Sequence, residues 1–384
     1  PTRLGGDWYD GGQYRDLYMH TWTSQTSCIK NSWEAATSAI GACHAAIQII
    51  QDSEALTDEQ RIEKEADVRG IRAFWIYVMM DFWGNVPLLT EYSSTDKVFP
   101  DCTPRQEVFD WLVEEVREIA DNCPAPTQEN YACFTQGAAY TLLAKLFLNA
   151  DAWGVTTSED NYALVVDYCD KVMAMGYSLE PVWSDNFSTS NNNSKEAIFA
   201  CAFSANDTEN TNSMYANTLH YKDNLAFGAS FGANNGVCAQ PGYVKLFPDD
   251  DPRKAASFLI GKQYNASTGE IIITDHGYEL DHTIDLTIIP GTEYSGSNWG
   301  AVNQHDGARC QKWPYAQDLV SAMENDFHIF RLADVYLMKA EALLRGGGSA
   351  NEATELVNSI RSRAYGNADH NYSSVTLNEV QLER

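Results

Sequence analysis

Apolar residues recur at spacings of three and four along much of the chain, the mark of helices that bury one face. Between residues 31 and 51 the set is Trp33, Ala36, Ile40, Cys43, Ile47 and Ile50, and Asn31 with Glu34 supplies a start signal. A second helix is predicted from about Asp58 to Trp83. Thr57 and Gln60 make its capping box, Ile71, Trp75, Val78 and Phe82 mark one stripe, and Gly84 and Pro87 stop it. These two helices read as an antiparallel hairpin.

The pattern then repeats. Thr103, Pro104 and Gln106 combine a cap, a proline at the first helical position and a capping-box glutamine, opening a helix that ends near Asn122 and Pro124. Residues 134–150 form its partner, with alanines and a glycine that permit close approach, and a further helix runs from about 159 to 175. Residues 329–345 and 350–365 make another hairpin, its second helix opened by Ser349 and Glu352 and closed by Gly366. Thr376 and Glu379 open a last helix that stops at Arg384, so more chain is expected there, and Pro1 is no natural start. Paired helices of about 30 to 45 residues with small residues at the crossings read as tetratricopeptide-like units.

From about 177 to 328 the periodicity fails. Asn, Gly, Ser and aromatic residues dominate, and the strand candidates are short: 196–203, 270–275 and 283–289. The expected fold is mainly α, a tetratricopeptide-like helix-hairpin scaffold with a loop-rich insertion containing short strands. We expect a single domain over 1–384. Its parts are an N-terminal loop segment (1–30), helical repeats (31–176), a ligand-binding insertion (177–328), and a C-terminal hairpin with a truncated helix (329–384).

Charge narrows the partners. With 26 Lys and Arg against 53 Asp and Glu, the formal charge is −27. Such a chain repels phosphate backbones, and nucleic acid is excluded as a partner. No apolar run approaches the ~20 residues that span a bilayer. Nine cysteines include no C-x-x-C pair; Cys43 and Cys169 read as core residues, while Cys238 and Cys310 lie in loops where a disulfide is an open alternative. The eight histidines show no metal-ligand spacing, and Asp249, Asp250 and Asp251 lack an EF-hand pattern, so no metal and no cofactor are expected. Phosphate-loop, H-E-x-x-H and dinucleotide motifs are all missing. A pair of carboxylates set for glycoside hydrolysis stays open, because separation in space defines it.

Several segments together resemble one family. The stretch EADVRGIRAFWIYVMMDFWGNVPLLTE at 65–91 resembles the long helix, glycine and V-P-L-L-T turn of the SusD/RagB outer-membrane lipoproteins. RQEVFDWLVEEV, FTQGAAYTLLAKLFLNA, KEAIF, the D-P-R at 251–253, RLADVYLMKAEAL and NSIRSRA follow in that family's order. The resemblance implies a non-catalytic cell-surface protein on the extracellular face of the outer membrane. It would be held by a lipid anchor outside this chain, capturing oligosaccharide for a SusC-like TonB-dependent transporter. Peptide binding, as in the RagB-like branch, and a helical-repeat scaffold for partner proteins are the alternatives, with a glycosidase third.

Sugar rings need flat aromatic faces and planar polar side chains. Two loop regions offer them. The first, 5–27, carries Asp7, Trp8, Tyr9 and Trp22; its competing reading is a packing segment with Trp22 buried under the first hairpin. The second, 291–313, carries Tyr294, Asn298, Trp299 and Arg309, with Trp313 beside Pro314 as a packing residue and a structural ion pair as the competing role for Arg309. Tyr336 is the remaining candidate, against a core role. The Asn191, Asn192 and Asn193 loop reads as solvated turn chemistry. In the resembling family, ligand contacts come from these two regions, so the expected site is the surface shared by 7–22 and 294–313.

Overall fold

The computed structural model describes residues 13–90, 100–204, 212–230, 232–287, 305–316 and 323–384. Among these residues the first six helices are α1 (Gln13–Met19), α2 (Ser27–Asp52), α3 (Asp58–Trp83), α4 (Arg105–Ile119), α5 (Gln136–Trp153) and α6 (Asn161–Met173). Three short helices follow, α7 (Met214–Thr218), α8 (Pro241–Val244) and α9 (Pro252–Ser257), then α10 (Leu332–Arg345), α11 (Ala350–Tyr365) and α12 (Leu377–Glu383). Strands are few: β1 (Ala197–Cys201), β2 (Phe258–Leu259), β3 (Gly261–Lys262), β4 (Asp281–His282), β5 (Arg309–Cys310) and β6 (Phe327–Arg331). The fold is mainly α, helix hairpins with a loop-rich insertion. No described helix is long and apolar enough to cross a membrane.

Two compact units make up the chain. One comprises Asn31–Pro181, Asn193–Cys201 and His328–Arg384; the other comprises Pro1–Lys30, Val182–Asn192 and Ala202–Phe327. In the helical unit, α5 is packed by α4, α6 and α10, and α10 by α6, α11 and α12. The small residues of α5, Gly137, Ala138, Ala139 and Ala144, are buried and let these neighbours approach. β1 pairs with β6, and the Leu332 N–H donates to the Glu196 carbonyl where α10 begins.

Local signals placed several helix starts to the residue. The Thr57–Gln60 box opens α3, Ser349 accepts from the Glu352 N–H at α11, and Thr376 with Glu379 boxes α12. Elsewhere the starts differ from those expected. α2 begins at Ser27, not near Asn31, because the Thr26 carbonyl already accepts from Ile29 and Lys30. At α4 the expected Thr103–Gln106 box is absent: Thr103 exchanges backbone bonds with Val86, and the Gln106 amide instead pairs both backbone groups of Thr156. Residues 329–331 belong to β6 rather than to the start of α10.

The expected stripe of α3 is also corrected. Its buried line is Ala66, Gly70, Ala73, Ile76 and Met80, whereas Phe82 is exposed. The Phe134 ring lies over Gly70 so closely that a Cβ there would sit 2.0 Å from Cδ1. The closest approach therefore selects small residues, which a count of large apolar ones overlooks.

The other unit is built from short pieces. β2 pairs antiparallel with β5, with Phe258 opposite Cys310, and β3 pairs with β4, with Gly261 opposite His282. Of the expected strands, 270–275 contributes only isolated bridges, Tyr264 to Ile271 and Ile273 to Glu279. Residues 283–287 form no strand. Their polar groups are taken locally: the Thr283 hydroxyl donates to the Asp285 carbonyl, and the Asp306 carboxylate accepts from the Thr287 N–H. Cys43 and Cys169 are buried, and Cys310 in β5 is a free thiol, which removes the disulfide alternative with Cys238. Asn191 is no solvated turn residue: it is 2% exposed, and its amide donates to the Asn186 and Asp326 carbonyls while accepting from the Asp326 N–H.

Candidate functional site

Within the second unit, three partly open aromatic rings gather around a buried one. Trp183 opens a 3-10 turn, Trp183–Phe187, after Pro181, and the Asn186 amide closes it on the Trp183 carbonyl. That turn sets the Trp183 and Phe187 rings 4.8 Å apart. Phe187 is buried and meets Trp313 edge to face at 5.5 Å, and Trp313 stacks on Phe327 at 4.9 Å with an interplanar angle of 18°. Phe327 is 37% exposed, and Trp183 and Trp313 are half-buried.

Buried amides hold this stack rigid. Asn325 donates to the Phe187 and Pro314 carbonyls, and the Trp313 indole N–H donates to the Asp326 carbonyl at 3.3 Å. The Asp326 carboxylate in turn accepts from the Phe203 N–H. Over the rings lies the Lys312 ammonium, 4.6 Å from the Phe187 centroid and 5.5 Å from that of Trp313. Fixed, partly exposed rings present apolar contact area at little entropic cost, and the cation over them adds a donor.

The sequence candidates fall out differently. Trp22 is 45% exposed, tilted against His20 at 5.3 Å, so its burial under a hairpin is set aside. Arg309 is only 2% exposed; its guanidinium donates to the Thr218 and Asp306 carbonyls and lies against His282. His282 meets the Asp223 carboxylate through Nε2 at 2.9 Å and the His305 carbonyl through Nδ1 at 2.9 Å. Burial pushes the Asp223 carboxyl up, but His282 and Arg309 outweigh it and hold it below the usual carboxylate range. Arg309 thus belongs to an interior charge cluster that braces the unit, which is its structural role. Tyr336 is half-buried against the apolar clusters of the helical unit, a core position. Asp7, Trp8, Tyr9, Tyr294, Asn298 and Trp299 lie outside the described residues.

Among the described residues no group of three His, Cys, Asp or Glu could hold a metal ion. Asp249 is in an ion pair with Lys254, and Asp251 with Arg253. Sequence reasoning missed Trp183 and Phe327 and gave Trp313 a packing role. A tryptophan two residues beyond a proline, in an Asn- and Ser-rich stretch, was the available signal for Trp183. For Phe327 it was the outward parity of FHIFR, whose burial alternates along β6.

Helix hairpins interrupted by a long excursion that carries a braced aromatic stack define a class of scaffold rather than a reaction. The family model described as the SusD family matches residues 180–384, more than half of the chain, and the chain belongs to that family. The starch-binding protein SusD of Bacteroides thetaiotaomicron is 26% identical over 360 residues, which cover 86% of this chain and 63% of that protein. The chain therefore spans less than two thirds of that relative's length. In three dimensions it is similar to a SusD superfamily protein from Parabacteroides distasonis, with a TM-score of 0.77 at 20% identity, covering 97% of this chain and 74% of the other. A surface glycan-binding protein A from Bacteroides uniformis superposes with a TM-score of 0.73 at 18% identity, covering 99% and 75%.

Proposed function

We propose that the chain is the binding part of a cell-surface oligosaccharide receptor that captures glycan without cleaving it. In this reading it hands the glycan to a SusC-like TonB-dependent transporter, and the protein is held on the extracellular face of the outer membrane by a lipid anchor outside this chain. The carrying observation is the partly exposed aromatic cluster of Trp183, Trp313 and Phe327, fixed by buried amides, in a member of the SusD family. Names of similar proteins support the ligand class: one binds starch, and another is a surface glycan-binding protein. Half-exposed Trp22 offers a second aromatic face in the same unit.

Calorimetry against neutral oligosaccharides and peptides tests this. Oligosaccharide binding is expected, with Trp313→Ala or Phe327→Ala weakening it about tenfold, the loss of one aromatic stacking contact of roughly 1.5 kcal/mol. Binding of peptides alone would replace the glycan reading with the RagB-like one. Release of reducing ends by the purified protein, abolished by one carboxylate substitution, would replace it with a glycosidase.

A further inference from the structure

A separate cleft lies in the helical unit, bounded by the 3-10 turn Gln128–Asn130, the start of α5 and the start of β1. Its volume is about 140 Å³. That is room for roughly five water molecules at ~30 Å³ each, far below the ~300 Å³ at which sites for drug-sized ligands begin. It fits one ring.

Its chemistry is two-sided. Tyr131, Tyr177 and Ile198 are among its lining residues. Both phenols are fixed: the Tyr131 hydroxyl bonds His328 Nε2 at 3.1 Å, and the Tyr177 hydroxyl bonds the Thr135 hydroxyl at 3.3 Å. Polar groups complete the lining. The Asn130 amide spends its N–H on the Ala125 carbonyl, which leaves Oδ1 as an acceptor, while exposed Thr127 brings a hydroxyl. Lys195 brings an ammonium that has no ion-pair partner among the described residues. No Asp or Glu lines the cleft, although the chain has 53.

We infer that this cleft is a second ligand site, distinct from the Trp183–Trp313–Phe327 stack, that takes a single neutral sugar ring. A pyranose or furanose is itself two-sided, with C–H faces for the tyrosines and hydroxyls that donate to Asn130 Oδ1 and accept from Lys195. A free anionic sugar is disfavoured by the overall charge of −27.

Saturation-transfer NMR with free glucose, galactose, mannose and xylose, one at a time, tests the assignment. At least one sugar is expected to bind at millimolar strength. The double variant Asn130→Ala with Lys195→Ala should weaken it roughly tenfold, as the loss of one or two hydrogen bonds implies. Thr127→Trp should abolish it by filling the cleft, with the melting temperature confirming a folded protein. Trp313→Ala should leave it unchanged, while the calorimetric oligosaccharide signal falls. The inference is overturned if none of the four sugars gives saturation, if both cleft variants bind as the parent does, or if Trp313→Ala removes the single-sugar signal. The first two results leave oligosaccharide capture at the stack untouched, since the calorimetry reads it separately, and the third would move the single sugar to the stack.

Discussion

Glu196 shows how much one buried side chain can hold. Its carboxylate is fully buried, ion-paired to Arg331 and to Arg363 at 2.7 Å, and it accepts the Glu180 N–H at 3.0 Å. These partners join β1, β6 and α11, so the residue ties the small sheet to the last hairpin. Burial pushes its pKa up, but the two guanidiniums outweigh burial and hold it below the usual glutamate range. With the folded value lowered, the stabilisation is fully present above the ordinary value of ~4.3 and is lost as pH falls through the folded one. Glu196→Ala leaves two arginines without their carboxylate and should cost about 3–5 kcal/mol. Urea titrations from pH 7 to pH 3 should show the parent losing stability more steeply below pH ~4.5 than Glu196→Gln, and equal slopes would remove Glu196 from the acid response. This tie was invisible in the sequence, since 135 residues separate Glu196 from Arg331. Asn191 escaped for the same reason, since polarity and loop position say exposed while distant partners make it interior, and distant partners likewise separate the two readings of Arg309.

At the scale of elements, what was legible is what local bonds decide. Capping at α3, α11 and α12 is settled within four residues, and those starts were readable. α4 and α10 were misplaced because a bridge to Val86 and the pairing of β6 with β1 are nonlocal. Thr57→Ala should therefore cost about 1 kcal/mol, seen as a lower urea midpoint with an unchanged slope. Gly70 is the sharper case. An added methyl would meet the Phe134 ring, so Gly70→Ala should destabilise by about 1–3 kcal/mol through overpacking. Phe134→Leu in the same chain should recover part of that, and an additive double variant would show that the two do not share the contact.

For the whole molecule, charge sets the background. A formal −27 repels itself in the folded state, and salt screens that repulsion over a Debye length of ~10 Å at 0.1 M. The melting temperature should rise as sodium chloride goes from about 0.02 to 0.2 M, and a flat or falling trend would show that attractive pairs dominate. The fold class and the family were readable at this scale because ordered helix-packing motifs survive low identity. The candidate surface was only half readable: composition flagged aromatic loops, but which rings stack depends on the Asn191, Asn325 and Asp326 framework, drawn from separate segments of the insertion unit.

The pairing of β1 with β6 has a further consequence. The longest excursion from the helical unit, Ala202–Phe327, leaves at Cys201 and re-enters at His328, on neighbouring strands of one small sheet, while Val182–Asn192 is a second and shorter one. The excursion thus begins and ends at a closed gate, and lengthening or replacing it costs the host only a slowly growing loop-closure entropy. Such wiring makes the region exchangeable. An exchange of the cord between these two stitches would carry away Trp313 and Phe327, whereas Trp183, Phe187 and Asn191 sit on the separate Val182–Asn192 segment and would stay with the host chain.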